Sequence, residues 1–195
     1  MLIDLSHTSH ATQLDVLGSG SGNSTNEFMG SKAPIMLSHS SAYALCPHPR
    51  NVQDDVLSLV KKTHSIVMVN FSPDFISCVP NPDDGEGLPT FYPPNSTFHQ
   101  VARHVIYIGE KIGYEHVGLG SDFDGIESTP RGLEDVSKFP DLVKELLRMG
   151  VARRDVRRIV GGNVLRVWRA AEEVAEEMRK DGVLPMEDEI DDVDA

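Results

Sequence analysis

Three reactive side chains in this sequence each follow a short apolar run. They are His7 after residues 2–6, His39 after residues 34–38 and Asp122 after residues 117–121. Continuous apolar runs of this length are typical of buried parallel strands, and α/β folds place their chemistry at the carboxyl ends of such strands. The sequence therefore predicts that the three side chains meet at one site. The alternative is that these strand ends are polar without any functional reason.

The two histidines are candidate metal ligands. Neutral imidazole is a common zinc ligand, and adjacent parallel strands bring their ends close together. We therefore expect His7 and His39 to reach one zinc ion. Against this, a single histidine at a strand end is more often a hydrogen-bonded structural group. The other histidines lie in polar or helical-surface contexts and are interpreted as bystanders: His10, His48, His64, His99, His104 and His116.

Two carboxylates and one arginine complete the set of candidate groups. In an extended backbone Asp122 and Asp124 would point the same way, and one of them could transfer a proton for a metal-activated water. The same spacing fits an Asx turn closed by Gly125 equally well. Arg50 lies in the loop after the His39 strand, where its planar guanidinium could bind a carboxylate or remain a solvated charge.

Strands alternating with helices must position these groups. Strands are predicted over 2–6, 34–38, 65–70 and 117–121, and each precedes a helical pattern. This alternation implies parallel strands with right-handed crossovers and therefore an α/β fold with flanking helices. Four strands fit an open sheet or half of a (β/α)8 TIM-type barrel, since a whole barrel needs eight strands and about 250 residues.

Apolar spacing and capping residues predict six helices. They cover residues 11–17, 51 or 54 to 63, 98–112, a stretch starting at 137 or 138, 153–160, and 163 to about 178. In the last of them we expect Trp168 on the buried side. Residues 79–97 are rich in proline and aspartate and are predicted to be a long loop.

Composition limits the function classes. The chain has 195 residues and a formal net charge of -12, and this charge argues against nucleic acid as a partner. No apolar stretch of about twenty residues is present to span a membrane. Because the first strand follows Met1 at once, we expect no signal peptide, although sequons at Asn23 and Asn95 favour a secretory route, so localisation stays open. We expect one domain over 1–180, interrupted by a flexible insertion at 18–31, and an acidic disordered tail over 181–195.

Six motifs, in this order, resemble those of the membrane (renal-type) dipeptidase family. They are HSSAY at 39–43, RNVQDD at 50–55, MVNF at 68–71, GSDFDG at 120–125, GLEDVS at 132–137 and GNVLRV at 162–167. The resemblance runs from Leu2 to about Arg169. It implies a (β/α)8-barrel zinc metallopeptidase that hydrolyses dipeptides by a metal-activated water, with two zinc ions in the complete site.

The resemblance also implies roles for individual residues. His7 and His39 match the two histidines that bind one of the two zinc ions. Arg50 and Asp122 match residues that contact the dipeptide, and Asp122 would be the catalytic proton shuttle. Cys46 and Cys78 match a disulfide pair between neighbouring loops.

The motifs of the family's amino-terminal half are missing from this sequence. That half would supply a His-x-Asp motif for the other zinc ion, a glutamate that bridges both metals, and another substrate-binding histidine. We therefore expect a truncated zinc dipeptidase that retains at most one partial metal site. The alternative is a non-catalytic fragment, either an inactive homologue or a chain that needs an amino-terminal half. Expected partners are a dipeptide, and either a second copy of the chain or the missing half.

Overall fold

The computed structural model describes residues 1–18, 30–85 and 87–184. Its α-helices are α1 His10–Val16, α2 Asp54–Lys62, α3 Pro73–Ile76, α4 Phe98–Ile112, α5 Phe139–Arg148, α6 Arg153–Arg157 and α7 Asn163–Lys180. Its strands are β1 Met36–Leu37, β2 Ile66–Val69, β3 Cys78–Val79, β4 Thr90–Phe91 and β5 Val117–Leu119. Short 3-10 helices cover Pro93–Asn95, Tyr114–His116 and Val136–Lys138.

A parallel sheet with the order β1-β2-β5 forms the centre of the fold. Val67 pairs with Leu37 on one side and with Val117 on the other. The first apolar run joins the outer side of β1 through a parallel bridge between Asp4 and Met36. All four predicted runs therefore lie side by side in chain order, and the predicted α/β class with parallel strands is confirmed.

One face of the sheet carries the hydrophobic core. Leu37, Val67 and Val69 are fully buried, whereas the alternating residues Met36 and Met68 are only half-buried. Because successive strand residues point to opposite faces, the helices cover one face of the sheet more completely than the other. The buried apolar residues of the helices include Val56, Leu57, Val60, Val101, Val105, Ile108, Leu142 and Leu146.

Polar capping residues mark the starts of α1 and α4. Ser9 accepts a hydrogen bond from the backbone of Thr12 at the start of α1, and Thr97 does the same for Gln100 at the start of α4. Such caps satisfy backbone donors that have no partner inside the helix. Among the described residues, no helix is both long and apolar enough to cross a membrane.

The prediction for Trp168 is wrong. Its side chain is 56% exposed and donates a hydrogen bond to Glu172. The buried side of α7 consists of Asn163, Val167 and Ala171, which recur every four residues. Trp168 is one position further along the helix and therefore faces another direction.

The prediction of a long loop over residues 79–97 is right only in part. Residues 79–97 are not a plain loop, because β3 and β4 form an antiparallel pair in which Cys78 faces Phe91. Strand propensity at Thr90 and Phe91 was masked by the surrounding prolines. Most of the insertion at 18–31 and most of the tail at 181–195 lie outside the described residues.

Candidate active site

The four predicted site residues lie together at the carboxyl end of the parallel sheet. The ring centroids of His7 and His39 are 4.9 Å apart, with the rings nearly perpendicular. Nδ1 of His39 is 3.3 Å from Nη2 of Arg50 and 3.6 Å from a carboxylate oxygen of Asp122. Four residues that are far apart in the sequence thus form one polar cluster.

Two of these residues occupy the left-handed region of backbone space. The φ angle is 67° at His7 and 61° at Asp122. Residues with a Cβ rarely adopt this conformation, which costs of order 1–3 kcal/mol and is concentrated at functional sites. Each turn therefore directs its side chain towards the cluster at some expense in stability.

The Asp122 segment is a turn closed by Gly125, as one of the two alternatives predicted, but the bond that closes it uses the backbone carbonyl and not the side chain of an Asx turn. The backbone N–H of Gly125 donates to the carbonyl oxygen of Asp122 at 2.9 Å. A Cβ at position 125 would lie 2.5 Å from a carboxylate oxygen of Asp122, so the absence of a side chain leaves room for this carboxylate. Asp124 is exposed and does not line the cavity described below. Of the two carboxylates, Asp122 is the one at the candidate site.

A glycine allows the end of β5 to approach the His39 segment. A Cβ at Gly120 would lie 1.8 Å from the carbonyl oxygen of Ser38, a distance no side chain could accommodate. The strand end that leads to Asp122 therefore passes directly against the residue before His39. This contact explains why glycine precedes the SDFDG turn.

Asp4 organises the strand ends beneath the histidines, a role that the sequence analysis missed. One of its carboxylate oxygens accepts from the backbone N–H groups of Ser6 and Ser38, both at 3.0 Å, and the other accepts from the Ser38 hydroxyl at 2.5 Å. Partial burial would raise the pKa of Asp4, but these hydrogen bonds outweigh it and hold the pKa below its usual value. An aspartate inside an apolar strand run was the available signal.

Ser6 extends this network to the second histidine. Its hydroxyl oxygen accepts a hydrogen bond from the backbone N–H of His39 at 3.0 Å. The residue before His7 thus fixes the backbone of His39. The relative position of the two imidazoles is therefore set by hydrogen bonds between their strands.

Arg50 presents its guanidinium to a cavity of about 300 Å³. The guanidinium carbon lies 5.1 Å from the centre of the Phe75 ring, and Nε is buried without a hydrogen-bond partner. Burial lowers the pKa of Arg50 from its usual value, although the charge of Asp122 opposes this effect. The cavity lining also includes His7, Asp122 and Glu127. An arginine that lines such a cavity can bind a carboxylate.

The donor atoms suit zinc, but they are few. Partial desolvation, together with the positive charge of Arg50, lowers the pKa of His7 and favours the neutral imidazole that metals bind. Across residues 1–18, 30–85 and 87–184, no group of three or more histidine, cysteine, aspartate or glutamate side chains has the arrangement of a metal site. The described residues therefore offer two imidazoles where a catalytic zinc site usually has three protein ligands.

Cys46 and Cys78 form the expected disulfide. Their Cα atoms are 5.2 Å apart. The bond joins the loop that carries Arg50 to β3, which follows α3 and its Phe75. The loop that carries Arg50 and the segment that follows Phe75 are thus connected covalently.

The six bystander histidines do not line the cavity. His10 and His99 are hydrogen-bonded to the carboxylates of Asp55 and Glu145. His48 contacts a site residue directly, because its Nδ1 accepts a hydrogen bond from the backbone N–H of Arg50 at 3.1 Å.

Comparison with known proteins gives a consistent assignment. The family model of the membrane dipeptidases, peptidase family M19, matches residues 1–182. Dipeptidase aclJ of Aspergillus oryzae is 46% identical over 97% of this chain, and dipeptidase verJ of Clonostachys rogersoniana is 43% identical over 93%. The chain spans 39% and 40% of the lengths of these two relatives.

Solved structures agree with this assignment. A metallo peptidase from Rhodobacter sphaeroides, liganded with a phosphinate mimic of the dipeptide L-Ala-D-Ala, superposes with a TM-score of 0.67 at 26% identity, covering 86% of this chain and 41% of that one. The probable dipeptidase PvdM of Pseudomonas aeruginosa has the same fold, with a TM-score of 0.73 over 89% of this chain and 51% of its own. The chain belongs to the membrane dipeptidase family.

Proposed function

We propose that this chain is the part of a zinc-dependent dipeptidase that supplies one pair of metal ligands, the carboxylate-binding arginine and the proton-transferring aspartate. The observation that carries the proposal is the convergence of His7, His39, Arg50 and Asp122 at one end of the sheet. Membership of the dipeptidase family supports a peptide-bond hydrolysis at this place.

His7 and His39 would hold the zinc ion, which when bound supplies a Lewis acid and lowers the pKa of water towards neutrality. The lowered pKa of His7 favours this role, because only the neutral ring has a lone pair for a metal. Asp4 and Ser6 keep the two imidazoles adjacent through their backbone hydrogen bonds.

Arg50 would bind the terminal carboxylate of the dipeptide. Its guanidinium lies over the Phe75 ring, and the side chain lines the cavity where a charged oxygen would bind. Charge-assisted hydrogen bonds of this kind are about twice as strong as neutral ones. The cavity of about 300 Å³ is at the lower end of the range for small-molecule sites, as a dipeptide requires.

Asp122 would move a proton from the attacking water to the leaving amine. Its carboxylate lies beside His39 and lines the same cavity as Arg50, so it would face the peptide bond of a dipeptide held there. Proton transfer by a positioned side chain typically contributes a factor of about 10²–10⁴ to the rate.

A second candidate function is a non-catalytic fragment that requires the remainder of the fold. Two observations favour it: the described residues contain no group of three metal ligands, and the chain spans about two fifths of its relatives. A two-metal site stabilises both the attacking and the leaving atoms, and each 1.36 kcal/mol lost from that stabilisation slows the reaction about tenfold. We therefore expect the chain alone to hydrolyse dipeptides very slowly or not at all.

Zinc affinity and dipeptide hydrolysis, measured on the same purified chain, test both candidates. We expect weak zinc binding that His7→Ala and His39→Ala each reduce, while His99→Ala, which changes a histidine outside the cavity, leaves it unchanged. Unaltered zinc affinity in both site variants would overturn the metal role. Rapid hydrolysis that His39→Ala abolishes would instead establish a working enzyme and refute the fragment alternative.

A further inference from the structure

His104 is a fully buried side chain of α4 with both ring nitrogens in use. Its Nδ1 lies 3.0 Å from the backbone N–H of Ala42, which donates to it. Nε2 must then carry the hydrogen, and it lies 2.9 Å from the carbonyl oxygen of Ile76. One neutral tautomer therefore links two separate segments through the core.

The first linked segment is the base of the Arg50 loop. Ala42 forms a parallel bridge with Val52, and the backbone N–H of Tyr43 donates to the carbonyl oxygen of Val52 at 3.0 Å. These contacts close the loop between β1 and α2. Fixing Ala42 therefore fixes the chain two residues beyond Arg50.

The second linked segment is the end of α3. Ile76 follows Phe75, whose ring lies against the guanidinium of Arg50. Asn51 connects the two segments again, because its side-chain amide donates to the carbonyl oxygens of Phe75 at 2.6 Å and Cys46 at 2.9 Å. The Arg50 side chain is thus held between two segments that His104 joins.

We propose that His104 is a positioning residue for Arg50, which fixes the guanidinium in the carboxylate subsite by joining the Arg50 loop to the Phe75 segment. The proposal rests on the proposed function, since it takes Arg50 as the group that binds the substrate carboxylate. His104 itself lines no part of the cavity and touches no substrate.

The ionisation of His104 agrees with this role. Burial lowers its pKa to about 4, partly opposed by the hydrogen bond to Ile76. The ring therefore stays neutral at physiological pH, and Nδ1 remains an acceptor for Ala42. A protonated ring would carry a hydrogen on both nitrogens and could not accept that bond.

Three variants separate positioning from general stability. His104→Phe keeps a ring of similar size but removes both nitrogens. His104→Gln restores an amide that can donate to Ile76. His116→Phe is the matched control, because His116 is also buried and bonded to a carbonyl oxygen, that of Ser65, but at the opposite end of the sheet.

Two measurements on the full chain decide the question. Hydrogen–deuterium exchange reports the protection of residues 40–52, and titration with a phosphinate mimic of a dipeptide in the presence of zinc reports affinity. The same mimic without its carboxylate is the second probe. We expect His104→Phe to weaken binding of the carboxylate-bearing mimic about tenfold, which corresponds to the loss of about one hydrogen bond to a charged group. We also expect it to speed hydrogen–deuterium exchange in residues 40–52.

The outcomes distinguish the two proposals. His104→Gln should recover part of the affinity, and His116→Phe should lower stability without changing either readout at the Arg50 loop. Equal exchange of residues 40–52 in wild type and His104→Phe, or equal loss of affinity for both mimics, would overturn the positioning role. Failure of the wild-type chain to bind either mimic would count against the proposed function, while the exchange data would still decide whether His104 fixes the loop.

Discussion

The two ends of the central sheet satisfy their polar groups in different ways. At the amino end, the side-chain amide of Asn163 donates to the carbonyl oxygens of Tyr114 and Val117, both at 2.7 Å, and the Arg166 guanidinium donates to those of His64 and Glu115. At the carboxyl end, the imidazoles, the guanidinium and the carboxylate of the candidate site meet one another instead.

This difference separates a stabilising end from a binding end. Polar side chains that donate to backbone carbonyls provide partners for buried acceptor groups. Each such group would cost about 1–3 kcal/mol if it were left without a partner. At the carboxyl end, the side chains of Arg50 and Asp122 line a cavity and can contact a ligand there. An unpartnered Nε does not distinguish the ends, because Arg50 and Arg166 both have one. Active sites of α/β barrels occupy the carboxyl end, whereas residues at the amino end contribute to stability.

The largest expected effect concerns the covalent closure of the binding end. Replacing Cys46 and Cys78 by serine should lower the free energy of unfolding by about 3–4 kcal/mol, because the disulfide closes a loop of 32 residues in the unfolded chain. Chemical denaturation of the double variant and of the wild type under oxidising conditions measures it. Adding a reductant to the wild type should reproduce the loss, and a change below about 1 kcal/mol would contradict the prediction.

Acid should weaken the binding end through His104. The folded-state pKa of about 4 lies below the ordinary value of 6.5, so the unfolded chain takes up a proton first as the pH falls. The stabilisation is complete above pH 6.5 and should decline by about 3 kcal/mol between pH 6.5 and pH 4, since one pKa unit equals 1.36 kcal/mol.

Denaturation curves of the wild type and of His104→Gln at several pH values test this. The glutamine cannot titrate, so the stability difference between the two proteins should shrink as the pH falls. A difference that stays constant from pH 7 to pH 4 would refute the assignment.

Single substitutions at the two ends should differ in how much they lower the free energy of unfolding. Asn163→Ala leaves two carbonyl oxygens at the amino end without their donor and should cost about 2 kcal/mol in unfolding free energy. Arg50→Met should cost less, about 1 kcal/mol or below, because it loses the 3.3 Å contact between Nη2 and His39 while the methionine can still pack on Phe75. Thermal unfolding compares the pair. Equal destabilisation would remove the distinction between the ends.

The sequence predicted the position of the candidate site better than it predicted the helices and strands themselves. Apolar runs located the parallel strands and the order of their polar ends, which brought His7, His39 and Asp122 to one end. The run at 2–6 forms a bridge with β1 in place of a full strand, since it has one neighbour in the described sheet. Periodicity could not give the phase of α7, so it misplaced Trp168.

Contacts that depend on the folded backbone could not be predicted. The interpretation of His104 as a residue in a polar or helical-surface context is wrong, because its side chain is fully buried. Nothing in the spacing of the sequence shows that Ala42 and Ile76 would reach it from two distant loops. Likewise, the sequence left the Asp122 segment open between an extended strand and a turn. The left-handed φ angle of Asp122 decides for the turn.

The smallest expected effect is a gain in stability. His7→Gly removes the cost of a left-handed φ of 67°, about 1–2 kcal/mol, against the entropy of the more flexible residue, about 0.5–1 kcal/mol. The net gain in unfolding free energy should be about 0.5–1 kcal/mol, accompanied by loss of zinc affinity. His64→Gly is the matched control, because His64 has a φ of 55° at the amino end of β2. It should gain similar stability without any change in zinc binding. If His7→Gly destabilised the protein while His64→Gly stabilised it, the strained turn at His7 would not be the stability cost of the binding end.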